Sequence, residues 1–182
     1  MIRISLIGIL LFAFACNTGT VKHRTVDASM DVFQKIRINA SAAVDIESIA
    51  GLPTKISKIE KSGREIWQYC KSMDDCTESR MVLYIDASKR VSGAVWNYFE
   101  SDQNKQITQV KSEFPGLVFV RKRYLRQFLD YHETFDAIVD EKNSIALIIE
   151  DGTDDVSAVV RGDAMPGSSN SKSVFPIISE KK

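Results

Sequence analysis

Hydrophobic positions recur at helical spacing between residues 30 and 50. Val32, Phe33 and Ile36 fall on one face of a short helix. A second short helix is predicted over 42–50, because Gly51-Leu52-Pro53 is a typical helix end. The chain therefore begins its structured part with two short helices.

The second helix has a predicted start and a predicted buried face. Ser41 is a plausible N-cap, since its hydroxyl can accept a hydrogen bond from the first turn. Val44 or Ile46, together with Ile49, is expected to face the core.

The hydrophobic period changes to two after residue 54, which indicates strands. Strands are predicted over 55–61, 64–70, 80–86 and 91–98, with turns at 62–63 and 87–90. This is the pattern of an antiparallel meander. Within each strand the pattern separates two faces: Trp67 and Tyr69 from Ile66, then Met81, Leu83 and Ile85 from Val82 and Tyr84, and then Ala94, Trp96 and Tyr98 from Val95.

The second half of the chain repeats this order of elements. An amphipathic helix is predicted over 100–114, with Ile107, Val110 and Phe114 on one face and Pro115-Gly116 after it. Strands are predicted over 117–120, 135–139, 145–150 and 156–161. Residues 121–129 fit either a helix or a continued strand, and the pattern leaves both open.

The two halves also share short sequence motifs. Both run from an aromatic strand through an aliphatic strand and an acidic turn, and they close on VSGAVW and VSAVVR. Either the unit is duplicated, with repeats at 30–98 and 99–162, or similar hairpins arose separately. The predicted fold class is α+β, an antiparallel sheet with two or three short helices packed on one face. The domain is expected to span 30–162, followed by a flexible tail over 163–182.

The first fifteen residues form a secretory signal peptide by their pattern. A positive Arg3 precedes the apolar run 4–15, which is too short to span a bilayer. Ala13-Phe14-Ala15-Cys16 resembles a lipobox, whose cysteine receives a diacylglycerol group. Plain secretion is the alternative. Lipidated Cys16 is expected to anchor the protein in membrane lipid, and the polar residues 16–29 form the tether.

The cysteine count agrees with lipidation. Three cysteines in an exported chain would leave one unpaired, unless Cys16 is modified. Cys70 and Cys76 then remain, and the expectation is a disulfide between them, with two free thiols as the alternative.

Composition excludes some classes of partner. Lysine plus arginine and aspartate plus glutamate both total 24 in 182 residues. Without a basic excess, nucleic acid is not an expected partner.

Residues 38–96 resemble the BamE/SmpA family of small outer-membrane lipoproteins and the wider β-lactamase-inhibitor-protein-like fold. The motifs are the helix end with Gly51 and Pro53, the strand with Trp67 and Tyr69, and the strand-turn-strand ending at Val91. Asn39-Ala40-Ser41 departs from the Gly-Met-Thr common in that family. The resemblance implies a fold and an envelope location more than a shared function.

The sequence offers little catalytic or metal chemistry. His23 and His132 are the only histidines, so few residues could form a Ser-His-Asp arrangement. No metal ligand set or cofactor motif is expected. The acidic run 150–155 could attract calcium, but a hairpin turn is the stronger interpretation. The basic residues Arg121, Lys122, Arg123 and Arg126 could bind anionic lipid head groups. The alternative is that they form a solvated strand face.

These features favour a non-enzymatic protein in the cell envelope. We expect the protein to be anchored by lipid in the outer membrane and to face the periplasm. We also expect a protein partner that binds the sheet face or edge. The alternative is an inhibitor of an extracytoplasmic enzyme, which would need clustered aromatic anchors on a concave face. A hydrolase would need convergent polar groups, and the pattern shows none.

Overall fold

The computed structural model describes residues 28–59, 62–70, 76, 78–102, 105–128, 131–166 and 178–180, with the backbone alone at 126–128, 131–133 and 178–180. Three short helices and nine strands follow in chain order. They are α1 (Met30–Lys35), α2 (Ala43–Ala50), β1 (Lys55–Ile59), β2 (Arg64–Cys70), β3 (Ser79–Ile85), β4 (Val91–Asn97), α3 (Ile107–Ser112), β5 (Val120–Phe128), β6 (Tyr131–Asp140), β7 (Ile145–Ile149), β8 (Val156–Gly162) and β9 (Ile178–Glu180).

All nine strands form one antiparallel sheet in the order β1-β2-β3-β4-β8-β7-β6-β5-β9. Strands β1 to β4 make one meander and β5 to β8 make another, and β4 pairs with β8 where the two meet. The predicted class, α+β with an antiparallel sheet, is confirmed at this level.

Strands β2, β3, β4, β6, β7 and β8 each divide their side chains between two hydrophobic clusters. The first cluster contains Trp67, Tyr69, Met81, Leu83, Ile85, Ala94 and Trp96, with Tyr98 packed against it. The second contains Tyr84 and Val95, with Ile66 and Val82 packed against it. Within β2, β3 and β4 this division is the one that the period-two pattern predicts. The buried helical residues Val32, Phe33, Ile46 and Val110 belong to the first cluster.

The start and the exposed face of α2 differ from the prediction. The helix begins at Ala43 with Ala42 as N-cap, and the Asp45 carboxylate accepts the Ala42 N–H at 3.3 Å. Ser41 is not the cap, because its hydroxyl accepts the Arg37 N–H at 2.9 Å instead. Ile46 is buried as expected, but Ile49 is 42% exposed.

The third helix is shorter than predicted. It spans six residues, against the predicted 100–114, and buries Val110 while Ile107 and Phe114 pack against the core. Residues before α3 make a different local hydrogen bond, in which the Asp102 carboxylate accepts the Phe99 N–H at 2.8 Å.

Several strands extend beyond their predicted ends. Residues 121–128, left open by the pattern, continue β5, which pairs with β6 through nine residue pairs. The described structure also continues past residue 162. Ala164 and Met165 are 2% and 7% exposed, and β9 pairs with β5.

The pair β4–β8 relates the two meanders. Val95 lies opposite Val160 in this ladder, and these valines hold the same place in VSGAVW and VSAVVR. Moving outward from this pair, Ala94 faces Arg161 while Trp96 faces Val159. This is the register that a two-fold rotation through the central pair would produce.

The two meanders share local details on either side of this pair. Their inner hairpins each contain an irregularity, at Tyr84/Ile85 and at Ile148/Ile149. A serine lies beside each, and its hydroxyl donates to the facing strand. Ser92 donates to the Tyr84 carbonyl at 3.4 Å, and Ser157 donates to the Ile148 carbonyl at 3.3 Å.

Each helix start is attached to its own meander in the same way. The Ala43 N–H donates to the Lys89 carbonyl at 2.9 Å, and the Ile107 N–H donates to the Asp154 carbonyl at 2.9 Å. The preceding residues form the isolated bridges Ala42↔Arg90 and Gln106↔Asp155.

Candidate binding surface

The predicted anchor, Cys16, lies outside the described residues. Within the described part of the chain, the helices are too short or too polar to cross a bilayer.

The helix-end motif lies directly after α2, where the sequence predicts the end of a helix. Gly51 follows α2 with φ 81°, a value that favours glycine, and its N–H donates to the Glu47 carbonyl at 3.1 Å. Pro53 lies between α2 and β1. The Gly51 carbonyl then accepts the Tyr69 hydroxyl at 3.3 Å, which joins the helix end to β2.

Trp67 and Tyr69 belong to the core. They are 4% and 0% exposed, and Trp67 Nε1 donates to Glu65 Oε2 at 3.0 Å. Lys89 donates to the other oxygen of Glu65 at 2.6 Å. The hydrogen bonds from Lys89 and Trp67 lower the pKa of Glu65. Burial raises the pKa of the Tyr69 hydroxyl, which therefore stays protonated and donates.

Cys70 and Cys76 lie close together across the β2–β3 connection. Their Cα atoms are 5.2 Å apart, a separation common in disulfides, and their sulfur atoms lie within bonding distance. The geometry is compatible with the predicted bond, which stays a prediction.

The candidate chemical residues occupy structural positions. His132 lies on β6 at a position where only the backbone is described. The acidic run forms the β7–β8 turn, and Lys105 lies 3.2 Å from Glu150 and 3.5 Å from Asp155. No group of three metal-binding side chains converges within the described residues.

The basic residues of β5 divide between two partners. Arg121 and Arg123 both contact Asp136, at 2.9 Å and 2.7 Å, and lower its pKa, with Arg123 the larger cause. Lys122 donates to Glu141 at 2.8 Å. Arg126 lies farther along the strand, where only the backbone is described. The three described cations are thus bound to carboxylates of their own chain.

Exposed hydrophobic side chains mark a different region. The large hydrophobic residues that are exposed within the described chain are all aliphatic. They are Val44, Ile49, Leu52, Ile56, Val118 and Val120. Leu52 and Ile56 flank the start of β1 and are 62% and 49% exposed.

Strand β1 is the first strand of the sheet and pairs with β2 alone among the described strands. Within the described part of the chain no strand pairs with its outer edge, whose backbone groups another strand could use. We call Leu52, Ile56 and the exposed Lys55 and Lys58 the β1 surface. At the opposite end of the sheet, the edge strand is β9, which pairs with β5 at Tyr124, Leu125 and Arg126.

Aromatic residues are not prominent on the face of the second cluster. Tyr84 and Tyr124 are 9% and 3% exposed, and Tyr124 stacks on Phe135 at a ring separation of 5.7 Å. The described part of this face therefore lacks the exposed aromatic cluster expected of an inhibitor.

Leu52 and Ile56 are surface residues that the hydrophobic pattern does not single out. By pattern, Leu52 is part of the helix end and Ile56 is an apolar position of the first strand. The signal that could have identified them is position, because an apolar residue on an edge strand has a neighbour on one side only.

The class defined by these features is an antiparallel α+β sheet protein with exposed aliphatic side chains beside its first strand. Comparison with known proteins found no matching family model, no similar curated protein and no similar solved structure.

Proposed function

We propose that the protein is a lipid-anchored envelope protein that binds another protein through the β1 surface and has no enzymatic activity of its own. The observation that carries this proposal is the outer edge of β1, which pairs with none of the described strands and has the exposed Leu52 and Ile56 beside it. Apolar side chains next to unpaired backbone groups suit the addition of a partner strand.

The charge on β1 favours a different protein over a second copy. Lys55 and Lys58 are exposed, and lysines on an edge strand disfavour pairing between identical edges. A partner strand with acidic side chains would meet them favourably.

We infer further that the helices pack on one face of the sheet and that the helix-plus-meander unit is duplicated. The shared cluster of helical and sheet residues supports the packing. The Val95–Val160 register and the matched irregularities support the duplication. The proposed likeness to the BamE/SmpA and inhibitor-protein folds rests on the sequence motifs in residues 38–96, and the proposed outer-membrane location and role in assembly rest on that likeness.

Replacing Leu52 and Ile56 together with lysine tests the binding surface. We expect the variant to fold, since both side chains are exposed, and to lose at least 80% of its cross-linked product in intact envelopes, because burying charge opposes docking on the order of several kcal/mol. The readout is the cross-linked product recovered with the anchored protein.

The matched control replaces Val118 and Val120, which are 76% and 57% exposed, with lysine. This variant should cross-link like the wild type. Equal products from both variants would refute the β1 surface as the site.

The anchor has a separate test. Cys16→Ser should move the protein from the membrane to the soluble envelope fraction, because the lipid supplies about 0.8 kcal/mol per buried methylene group. The measurement is fractionation in low and high salt. A variant that stays with membranes in high salt would exclude lipid anchoring.

A further inference from the structure

A second region of the molecule has the features of a ligand site. A cavity of about 450 Å³ lies where the start of α1, β3, the end of β4 and the residue after α3 meet. Its lining includes Ser29, Arg80, Trp96, Tyr98 and Glu113. None of these residues belongs to the β1 surface, so a ligand in this cavity is independent of the proposed function.

Three buried polar atoms in this lining lack hydrogen-bond partners among the described residues. They are Trp96 Nε1, Tyr98 Oη and Glu113 Oε2. Trp96 is only 6% exposed, and a buried indole N–H normally has an acceptor. Buried polar atoms that stay unpaired have lost their hydrogen bonds to water without replacement, which is unfavourable. Three such atoms belong to residues that line one cavity, and this is the pattern of a site that a ligand completes.

The charges around the cavity are balanced except at Glu113. The Arg80 guanidinium forms an ion pair with Asp102, donates to Oδ1 at 3.1 Å and lies over the Phe99 ring at 4.0 Å. Arg80 is therefore committed to its own chain. No described cation lies at salt-bridge distance from Glu113, and burial, with the charge of Asp31, raises the pKa of its carboxyl.

The unpaired atoms define the chemistry of a matching ligand. Trp96 Nε1 can only donate, so the ligand must accept there. Glu113 Oε2 accepts while its carboxyl is ionised, so the ligand must also donate. The Tyr98 hydroxyl can do either. A purely cationic group fails at Trp96, and a purely anionic group fails at Glu113.

We propose that this cavity binds a carboxamide, whose carbonyl accepts from Trp96 and whose N–H donates to Glu113. The amide can belong to a small molecule or to a peptide segment, since both present the same group.

An isosteric series tests the proposal on the full chain carrying Cys16→Ser. Acetamide, acetate and acetamidinium share one shape but differ in their hydrogen-bonding groups. Acetamide has both a donor and an acceptor, acetate has acceptors only, and acetamidinium has donors only. The readout is the indole N–H resonance of Trp96 during titration. The chain contains two tryptophans, and Trp67, whose indole already donates to Glu65, is the internal control.

Acetamide should shift the Trp96 resonance saturably and leave Trp67 unchanged, with a dissociation constant on the order of millimolar for so small a ligand. Acetate and acetamidinium should each bind at least threefold more weakly. Equal or tighter binding by either ion overturns the proposal, and so does the absence of a saturable shift with all three.

Tyr98→Phe removes one hydroxyl from the cavity and should weaken acetamide binding at least threefold. Tyr69→Phe removes a hydroxyl that bonds Gly51 outside the cavity, and it should leave the affinity unchanged. Equal affinities in the two variants would contradict the assignment of Tyr98.

The source of the amide is distinguished by a fourth probe, the blocked tripeptide acetyl-Gly-Gly-Gly-amide. Binding at least tenfold tighter than acetamide assigns the cavity to a peptide segment, because neighbouring amides then add contacts. Binding no tighter than acetamide assigns it to a small amide.

Discussion

Asp140 shows how one side chain can hold two elements together. It is 4% exposed and lies at the end of β6. Its carboxylate accepts the Val118 N–H at 2.9 Å, the Asn143 N–H at 3.1 Å and the Asn143 side-chain amide at 2.9 Å. The segment before β5 is thereby attached to the β6–β7 turn.

These hydrogen bonds predict a particular pH dependence. Donation by the Asn143 side chain, followed by that of Val118, lowers the pKa of Asp140 in the folded protein. Its stabilisation is therefore present above the unfolded pKa of about 4 and is lost as the pH falls through the lower folded value. We expect Asp140→Asn to be less stable than the wild type at pH 7, with the difference shrinking below about pH 4.

The measurement is chemical unfolding of both proteins across this pH range. Asp151→Asn is the control, because Asp151 is exposed in the β7–β8 turn. A wild-type advantage over Asp140→Asn that stays constant down to pH 2 would contradict the assigned role.

Single positions were predictable where burial follows the strand period. Trp67 and Tyr69 are core residues as the alternation indicates. Asp140 was not identified, because its role depends on a turn and on a segment more than twenty residues earlier in the chain. Local sequence carries no signal of such a contact.

Among the elements, the β2–β3 connection carries the predicted disulfide. A bond between Cys70 and Cys76 would close a small loop and lower the entropy of the unfolded chain. In the chain-entropy model this raises the free energy of unfolding by about 2 kcal/mol. We expect Cys70→Ala and Cys76→Ala to fold and to be less stable by about that amount. Unfolding with and without reductant measures the effect, and the reductant should change the wild type only. Equal stability of the wild type under both conditions would show that the bond is absent.

Strands were predictable, and so was the position of α2, but the exposed face of this short helix was not. The alternation over 80–86 and 91–98 defines both the faces and the approximate ends of β3 and β4. A helix of eight residues contains about two turns, so the pattern of α2 could not distinguish Ile49 from a core position. Residues 121–128 resemble a helix locally, and only the pairing with β6 along their whole length identifies a strand.

For the whole molecule, the central pair Val95 and Val160 provides a test of the two-fold register. Both valines are buried and directly opposite each other. We expect Val95→Ala and Val160→Ala to cost about 2 kcal/mol each and to show a coupling energy of at least about 0.5 kcal/mol in the double variant, since paired side chains are not independent.

Val91 and Val156 are the matched control, because they hold equivalent places in the two meanders and are both 0% exposed. They pair with Ile85 and Ile149 in separate hairpins, so their effects should add within about 0.5 kcal/mol. Chemical unfolding of the two double-mutant cycles gives the comparison. Additivity at Val95 and Val160 would contradict the register.

The meeting of the two meanders could not be read from the sequence alone. The likeness of VSGAVW and VSAVVR indicated a repeat, but nothing local shows that these two segments lie side by side. That arrangement depends on packing across the whole sheet.

This arrangement sets the order in which the chain can be completed. Strand β4 pairs on one side with β3, which directly precedes it in the chain. On its other side it pairs with β8, where Val160 follows Val95 by 65 residues. At a synthesis rate of about 5–20 residues per second, β4 waits several seconds or longer for β8. During that interval the nascent protein displays an apolar strand with one side open, so a holding chaperone would have its greatest effect on the first half of the chain.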